Sequence, residues 1–501
     1  MKETRKRTVP SPAPLGLHGR FEYKWIVLSV TTIGALMAAI DGTIVILALP
    51  DMLVQLHADL IEMIWVIMGY ILVSTVFLLS FGRVADMFGR VRMYNLGFVV
   101  FTIGSALCGL AGSAILLIAF RLVQGAGAAM MVVNSVAIIT EAFPRNERGQ
   151  ALGINAITFA AGGVIGPILG GFILTVANWR WIFFINVPIG ILGALWGYLA
   201  LREMSIRRRG ETFDPIGAAT FSLSLVSVLF ALTLGIQYSW LSAPIVILFV
   251  AFVILLTVFL WWEQRTSNPV LDFSLFRDRV YSFSVVTAMI QSLALFAVNF
   301  LIVFYLQGVR GYDPLRAAVL LIPLPLTIAV MAPLSGRLAD RIGARIPASA
   351  GLLLQCIGLV WFAQLTPTTP YVQIALGLAL VGLGGGLFYP SNTSAAMSAA
   401  PSNRLGVASA TLATLRQAGM VTSFALSLAV AAASLPRDVM MQLFVGTNVT
   451  LGSKVTQEFV IGMHSAFLVS LVLGLVGIAF SVVRGQENRR QPATTGAAGG
   501  E

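Results

Sequence analysis

The sequence predicts an all-α membrane protein: two homologous six-helix bundles with two further transmembrane helices inserted between them. Three observations carry this expectation. Of 501 residues, 57% are hydrophobic and 11% charged, with a mean hydropathy of +0.89, too apolar for a soluble fold to cover with polar surface. Apolar runs long enough to cross a bilayer recur fourteen times. Finally, the chain repeats itself. Gly82-Arg83-Val-Ala85-Asp86-Met-Phe-Gly89 returns 254 positions later as Gly336-Arg-Leu-Ala339-Asp340-Arg-Ile-Gly343. Gly125-Ala-Gly127 with Pro144-Arg-Asn146-Glu-Arg-Gly149 returns 257 positions later as Gly382-Leu-Gly384 with Pro401-Ser-Asn403-Arg-Leu-Gly406.

Taken in order, residues 1–24 form a basic tail with little that can pack. The six spans of the first bundle occupy 25–201, the inserted pair 202–265, the second bundle 266–484, and a polar tail 485–501. The basic tail and first span lack a small-x-small cleavage site, so the span reads as a retained helix rather than a signal peptide. Arginines concentrate in alternate loops: Arg83, Arg90 and Arg92, then Arg145 and Arg148, then Arg207 to Arg209, then Arg337, Arg341 and Arg345. By the positive-inside bias this places those loops and both termini in the cytoplasm of a multi-pass cell-membrane protein. The formal net charge of +11 is thereby explained by topology rather than by a nucleic-acid partner.

The residue that asks most of the first span is Asp41. At ~1.5 Å per residue it lies about 20 Å into a hydrocarbon core roughly 30 Å thick, where an ionised carboxylate must be paired, protonated or facing a wet cavity. It is either a proton or cation site or a bond to a neighbouring helix, and the Thr43 hydroxyl can satisfy part of it without neutralising it. In the fourth span Arg121, Gln124, Gly125 and Ala128 share one helix face. Arg121 reaches the same depth as Asp41, so the two can pair; the alternative is an arginine held by backbone carbonyls. In the fifth span Gly162, Gly166 and Gly170 recur every four residues beside Gly163, Pro167 and Gly171, a stripe that permits close helix approach in lipid. Arg416 in the thirteenth span either meets substrate or ties the second bundle together. Phe388, Tyr389 and Asn392 of the twelfth either line a cavity or pack.

Several functions are excluded. Cys108 and Cys356 sit in separate apolar runs and read as core residues. With His18, His57 and His464 as the sole histidines there is no ligand cluster, so no metal site is expected. No nucleophile with histidine and acid partners and no GxxxxGK[ST] phosphate loop is present, so neither an enzyme nor an ATP-driven pump is expected.

Asp41-x-Thr43-Ile-Val ending in Ala48-Leu-Pro50, the Gly82 to Arg92 loop, Arg121-x-x-Gln124-Gly125-x-Gly127, the Gly162 to Gly171 stripe and Trp179-Arg-Trp-Ile-Phe-Phe-Ile-Asn186-Val-Pro188-Ile-Gly190 together resemble the major facilitator superfamily. Within it they are similar to the fourteen-span drug:proton antiporters of the QacA and EmrB kind. The resemblance covers 25–484. It implies the major facilitator fold, alternating access, and export of lipophilic, often cationic compounds driven by the proton gradient without a cofactor. It implies proton coupling at Asp41 and Arg121, a cavity lined by Gln124, Phe388, Tyr389, Asn392 and Arg416, a gating loop of Gly82, Asp86, Gly89 and Arg90, and an antiporter motif of Gly162, Gly166, Pro167, Gly170 and Gly171. Export of an endogenous lipid, siderophore or antibiotic is the alternative. Met87, Val91 and Ala344 stand where basic residues are usual, so the gating charges are thinner than in the family pattern. A single deep carboxylate weakens any preference for dications.

Overall fold

The computed structural model describes residues 22–485 apart from 145–147, 205–213, 236–237, 267–270, 272, 402–404 and 434–452. Residues 1–21 and 486–501 of the two tails and Arg145, Arg207 to Arg209 and Arg404 therefore fall outside it, while Tyr23 and Lys24, expected in the first tail, open the first helix. Every regular element among the described residues is helical. The first half comprises α1 (Tyr23–Gln55), α2 (Leu60–Phe88), α3 (Arg90–Gly109), α4 (Ala114–Ala142), α5 (Arg148–Val176), the short α6 (Trp181–Phe184) and α7 (Asn186–Ala200). Next come α8 (Pro215–Leu234) and α9 (Ala243–Glu263). The second half comprises α10 (Arg279–Phe304), α11 (Pro314–Leu320), α12 (Pro323–Ile342), α13 (Arg345–Phe362), α14 (Tyr371–Ala399), α15 (Leu405–Ala433) and α16 (Ser453–Val483). Among the described residues eleven stretches are long and apolar enough to cross a membrane, α6 with α7 and α11 with α12 each counting as one. The spans expected in α5, α10 and α15 are not among the eleven, although these too are helices, of 29, 26 and 29 residues.

Local sequence explains the helix ends. Asp59 and Glu62 form a reciprocal capping box at the start of α2, Glu62 N–H donating to Asp59 at 2.7 Å and Asp59 N–H to Glu62 at 2.9 Å. Both satisfy orphan donors of the first turn. Gly89 and Gly343, at equivalent places in the repeat, have φ of +114° and +87°. Only glycine accepts this cheaply, and it lets α2 and α12 fold back directly into α3 and α13. At the first of these turns the Glu203 carboxylate accepts the N–H groups of Arg90 and Val91 at 3.0 and 3.1 Å, negative charge placed on a helix amino terminus. The Arg90 side chain pairs with Glu141 at 2.6 Å.

The repeat is also visible in packing. A Cβ on Gly97 of α3 would stand 3.0 Å from the Gly127 carbonyl of α4, and one on Gly351 of α13 would stand 2.5 Å from the Gly384 carbonyl of α14. Both pairs are separated by the sequence offsets of the repeat. The halves meet where α5 packs on α11 and α12, and where α2 packs on α15. The inserted α8 rests on that second seam, with Phe230 stacked on Trp65 of α2 at 4.3 Å between ring centroids. Helix α9 packs on α8 and otherwise faces outward, burying Ile245, Phe259 and Glu263.

Candidate functional site

Asp41 and Arg121 are brought together. One guanidinium nitrogen, Nη1, donates to Asp41 Oδ2 at 2.5 Å and to Gln124 Oε1 at 2.7 Å, while Nε donates to the Val66 carbonyl at 3.1 Å. The guanidinium carbon sits 4.1 Å from the centre of the Tyr70 ring, a cation held against the ring's negative face. The other carboxylate oxygen, Oδ1, accepts from Gln124 Nε2 at 2.8 Å and from Asn186 Nδ2 at 3.0 Å. Those two amide nitrogens also donate to Ser105 Oγ at 3.0 and 3.2 Å, and the Ser105 hydroxyl in turn donates to the Phe183 carbonyl at 2.9 Å. Asp41, Ser105 and Gln124 are 0% exposed, and Arg121 and Asn186 are 1%. Burying two charges costs several kcal/mol per ion, an amount offset only where geometry is good and the remaining polar groups are satisfied; here both carboxylate oxygens are satisfied.

Small residues make this closeness possible. A Cβ on Gly104 of α3 would lie 2.8 Å from the Gln124 backbone, and one on Gly125 would lie 2.6 Å from the Tyr70 carbonyl. The α6 to α7 break then delivers Asn186 from the far side. Asp41 thus faces the interior of the first bundle, among α3, α4 and α7.

The opposite face of α1 carries the glycine stripe. Positions Gly162, Gly166 and Gly170 of α5 rest on Ala39, Thr43 with Ile40, and Ile44; a Cβ at Gly162 would lie 2.5 Å from Ala39 Cβ and one at Gly170 2.7 Å from Ile44 Cγ1. Gly163 has open space around it instead. Pro167 lies within α5 and Gly171 is buried. Thr43 does not reach Asp41: its hydroxyl donates to the carbonyls of Ala39 and Ile40, both at 3.1 Å.

The remaining expected residues scatter. Gln124 belongs to the closed Asp41 network rather than to an open cavity. Phe388, 1% exposed, packs on Ala348 and Leu352. Asn392 donates to the Ser284 carbonyl at 2.9 Å and accepts from Arg484 at 3.0 Å, joining the ends of α10, α14 and α16. Tyr389 and Arg416 lie together, 6.0 Å from guanidinium carbon to ring centre, and are half-buried. Gly89 and Arg90 occupy the α2 to α3 turn, whereas Gly82, expected in that loop, lies within α2, where a Cβ would stand 3.3 Å from Val133 of α4; the Asp86 side chain lies outside the described residues. Sequence reasoning missed Ser105, Tyr70 and the role of Asn186. Asn186 is a polar residue at the depth of Arg121, a signal that was present; Ser105 and Tyr70 carry none, because hydroxyls in apolar helices ordinarily bond to their own backbone.

A family model described as Major Facilitator Superfamily matches residues 31–424. The chain belongs to the major facilitator superfamily. Among curated proteins of this superfamily, it is 34% identical to the multidrug resistance protein Stp of Mycobacterium tuberculosis, over 80% of this chain and 74% of Stp. It is 30% identical to the riboflavin transporter RibZ of Clostridioides difficile, over 92% of this chain and 97% of RibZ. Its fold matches the crystal structure of a bacterial homolog of the human lysosomal transporter Spinster, inward-facing and occupied, with a TM-score of 0.65 at 19% identity, covering 93% of this chain and 97% of that one. Membership of this superfamily makes the chain a multi-pass membrane transporter.

Proposed function

We propose that this transporter is a proton-coupled exporter of amphipathic compounds, working by alternating access across fourteen spans with both termini cytoplasmic. The observation that carries the reading is a fully buried carboxylate whose partner is a buried guanidinium. Burial opposes charge on Asp41 and Arg121 favours it. The balance between protonated and ion-paired forms is therefore set by whether the network stays closed or opens to water at one membrane face. Opening the α2 to α3 turn, held by Glu203, Arg90 and Glu141, is the proposed gate. The family resemblance implies substrates that are often cationic; with Asp41 enclosed such a substrate does not meet the carboxylate directly, so proton and substrate communicate through helix movement. A second reading, transport of a single metabolite on the same machinery, is favoured by the nearly full-length similarity to RibZ. Proteoliposomes carrying Asp41→Asn are expected to retain substrate counterflow and to lose, by tenfold or more, export driven by a pH gradient. Full gradient-driven export by this variant removes Asp41 from the coupling step.

A further inference from the structure

With Asp41 enclosed, a different charge faces the seam between the halves. On α15, Gln417 accepts from the Thr75 hydroxyl of α2 at 3.1 Å. Gly419 packs on α10, where a Cβ would lie 3.2 Å from the Leu293 nitrogen. Between these two occupied sides runs a half-buried stripe of Ala413, Arg416 and Met420, the i, i+3 and i+7 positions of one helix face. No carboxylate among the described residues pairs with Arg416, whereas the charge of Arg121 is met by Asp41.

Arg416 stands at the edge of a polar cluster. Its guanidinium carbon is 6.0 Å from the centre of the Tyr389 ring. The Tyr389 hydroxyl accepts from Gln291 Nε2 at 3.2 Å, and the same nitrogen reaches Gln355 Oε1 at 3.5 Å. Gln291 and Gln355 are 1% and 3% exposed, yet Gln291 Oε1 has no donor among the described residues. A buried acceptor left unmet costs about as much as a lost hydrogen bond and marks a place where a donor is missing. The backbone beside the cluster is bare at Gly385, where a Cβ would lie 3.3 Å from Gln355 Nε2 and 3.5 Å from the Tyr389 ring. The fold itself does not require these polar groups: at the repeat offsets of 254 and 257, the first half has Phe101 opposite Gln355 and Val132 opposite Tyr389.

We propose that Arg416, Tyr389 and Gln291 form a recognition site for planar organic anions that carry an N–H or O–H donor near their acidic group. The guanidinium fork matches a carboxylate or enolate, the Tyr389 ring offers a face for stacking, and Gln291 Oε1 takes the donor. In a poorly screened interior a lone cation selects against cationic ligands. This inference deepens the exporter reading by naming its substrate class, and it rests on that reading for the site's being one of transport.

The test uses two probes with one ring system and opposite charge, rhodamine 123 and fluorescein, in buffer of about pH 5.5 where the fluorescein monoanion keeps a phenolic O–H. Each is titrated onto the full chain in lipid nanodiscs by fluorescence anisotropy, with empty nanodiscs subtracted and no pH gradient. Fluorescein is expected to bind at least tenfold more tightly than rhodamine 123. Arg416→Gln is expected to cost fluorescein tenfold or more and rhodamine little, Arg416→Glu to reverse the order, and Arg416→Lys to keep the order with weaker binding, which separates lost charge from lost folding. Equal binding, preference for rhodamine 123, absence of fluorescein binding, or an Arg416→Gln variant with an unchanged ratio overturns the assignment. Because no gradient is present, failure here leaves the coupling role of Asp41 intact, and failure of gradient-driven export leaves these affinities intact.

Discussion

Arg121 is held from four directions, by Asp41, Gln124, the Val66 carbonyl and the Tyr70 face. Removing it strands a carboxylate that has no access to water. Arg121→Ala is therefore expected to destabilise the protein by about 3–5 kcal/mol, the usual consequence of breaking a buried pair. The double variant Asp41→Asn with Arg121→Gln, which removes both charges, is expected to recover more than half of that loss. Thermal unfolding of the three proteins in one detergent measures it, and a double variant no more stable than Arg121→Ala contradicts the account. The two charges at this site were legible in the sequence, because depth in the bilayer makes an ionised group conspicuous and the two depths agreed. The neutral groups were not. Ser105 and Tyr70 incur no comparable penalty in a helix, so nothing in their positions betrays that they complete the site. For the same reason the sequence left Phe388 and Asn392 open between cavity and packing, and their contacts assign both to packing.

Helix α1 is gripped on both faces, by a polar network on one and by glycines on the other. The segment from Ala39 to Ile44 supplies both contacts, so any movement that opens the Asp41 network must slide or tilt α1 against α5. Gly166→Leu and Gly170→Leu each place side-chain atoms within the α1 backbone's contact distance. They are expected to lower export at least tenfold while leaving membrane insertion intact, whereas Gly163→Ala, which meets open space, is expected to be neutral. Transport assays on equal amounts of inserted protein check this, and unimpaired Leu variants dispose of the packing role. Periodicity revealed the stripe, but not which of its two rows bears on α1. The repeat adds a contrast. At offsets of 254 and 257, Ser105, Arg121 and Gln124 correspond to Leu359, Leu378 and Val381, all buried. The second half keeps the glycine contact of α3 with α4, as Gly351 against Gly384, has Gly419, Ser423 and Ser427 where the stripe has Gly162, Gly166 and Gly170, and fills the equivalent of the coupling site with aliphatic side chains, so a charged network is no requirement of the architecture.

Across the whole molecule, the halves are joined by α5 against α11 and α12, at the end that holds the turns near residues 113, 178 and 313, while α2 and α15 meet through Thr75 and Gln417. The order of helices was legible because each apolar run is long and punctuated by charge. The pairing of helices was not, since lipid-facing and helix-facing residues are equally apolar. Orientation is open to direct measurement. With Cys108 and Cys356, both buried, replaced by serine, single cysteines at the exposed Ala243 and Thr368 are expected to react with an impermeant maleimide from outside. A cysteine at Phe88, 59% exposed, should react after permeabilisation only. Thr368 is preferred to its neighbour Thr369, which is buried and accepts the Thr366 N–H at 2.7 Å. Labelling of Ala243 from the cytoplasmic side alone breaks the proposed topology.

Helix α9 buries three side chains and touches little beyond α8, which itself lies along one seam. In evolutionary terms, such a hairpin is an accessory that a pair of repeats can acquire in a single insertion. The insertion point lies between the two repeats, so neither internal register shifts. The new surface it brings is dissolved by lipid rather than demanding a matching socket. What does constrain the acquisition is α8, whose Phe230 must find Trp65. Divergence should therefore run freely along α9 and slowly along the one face of α8 that the older helices touch.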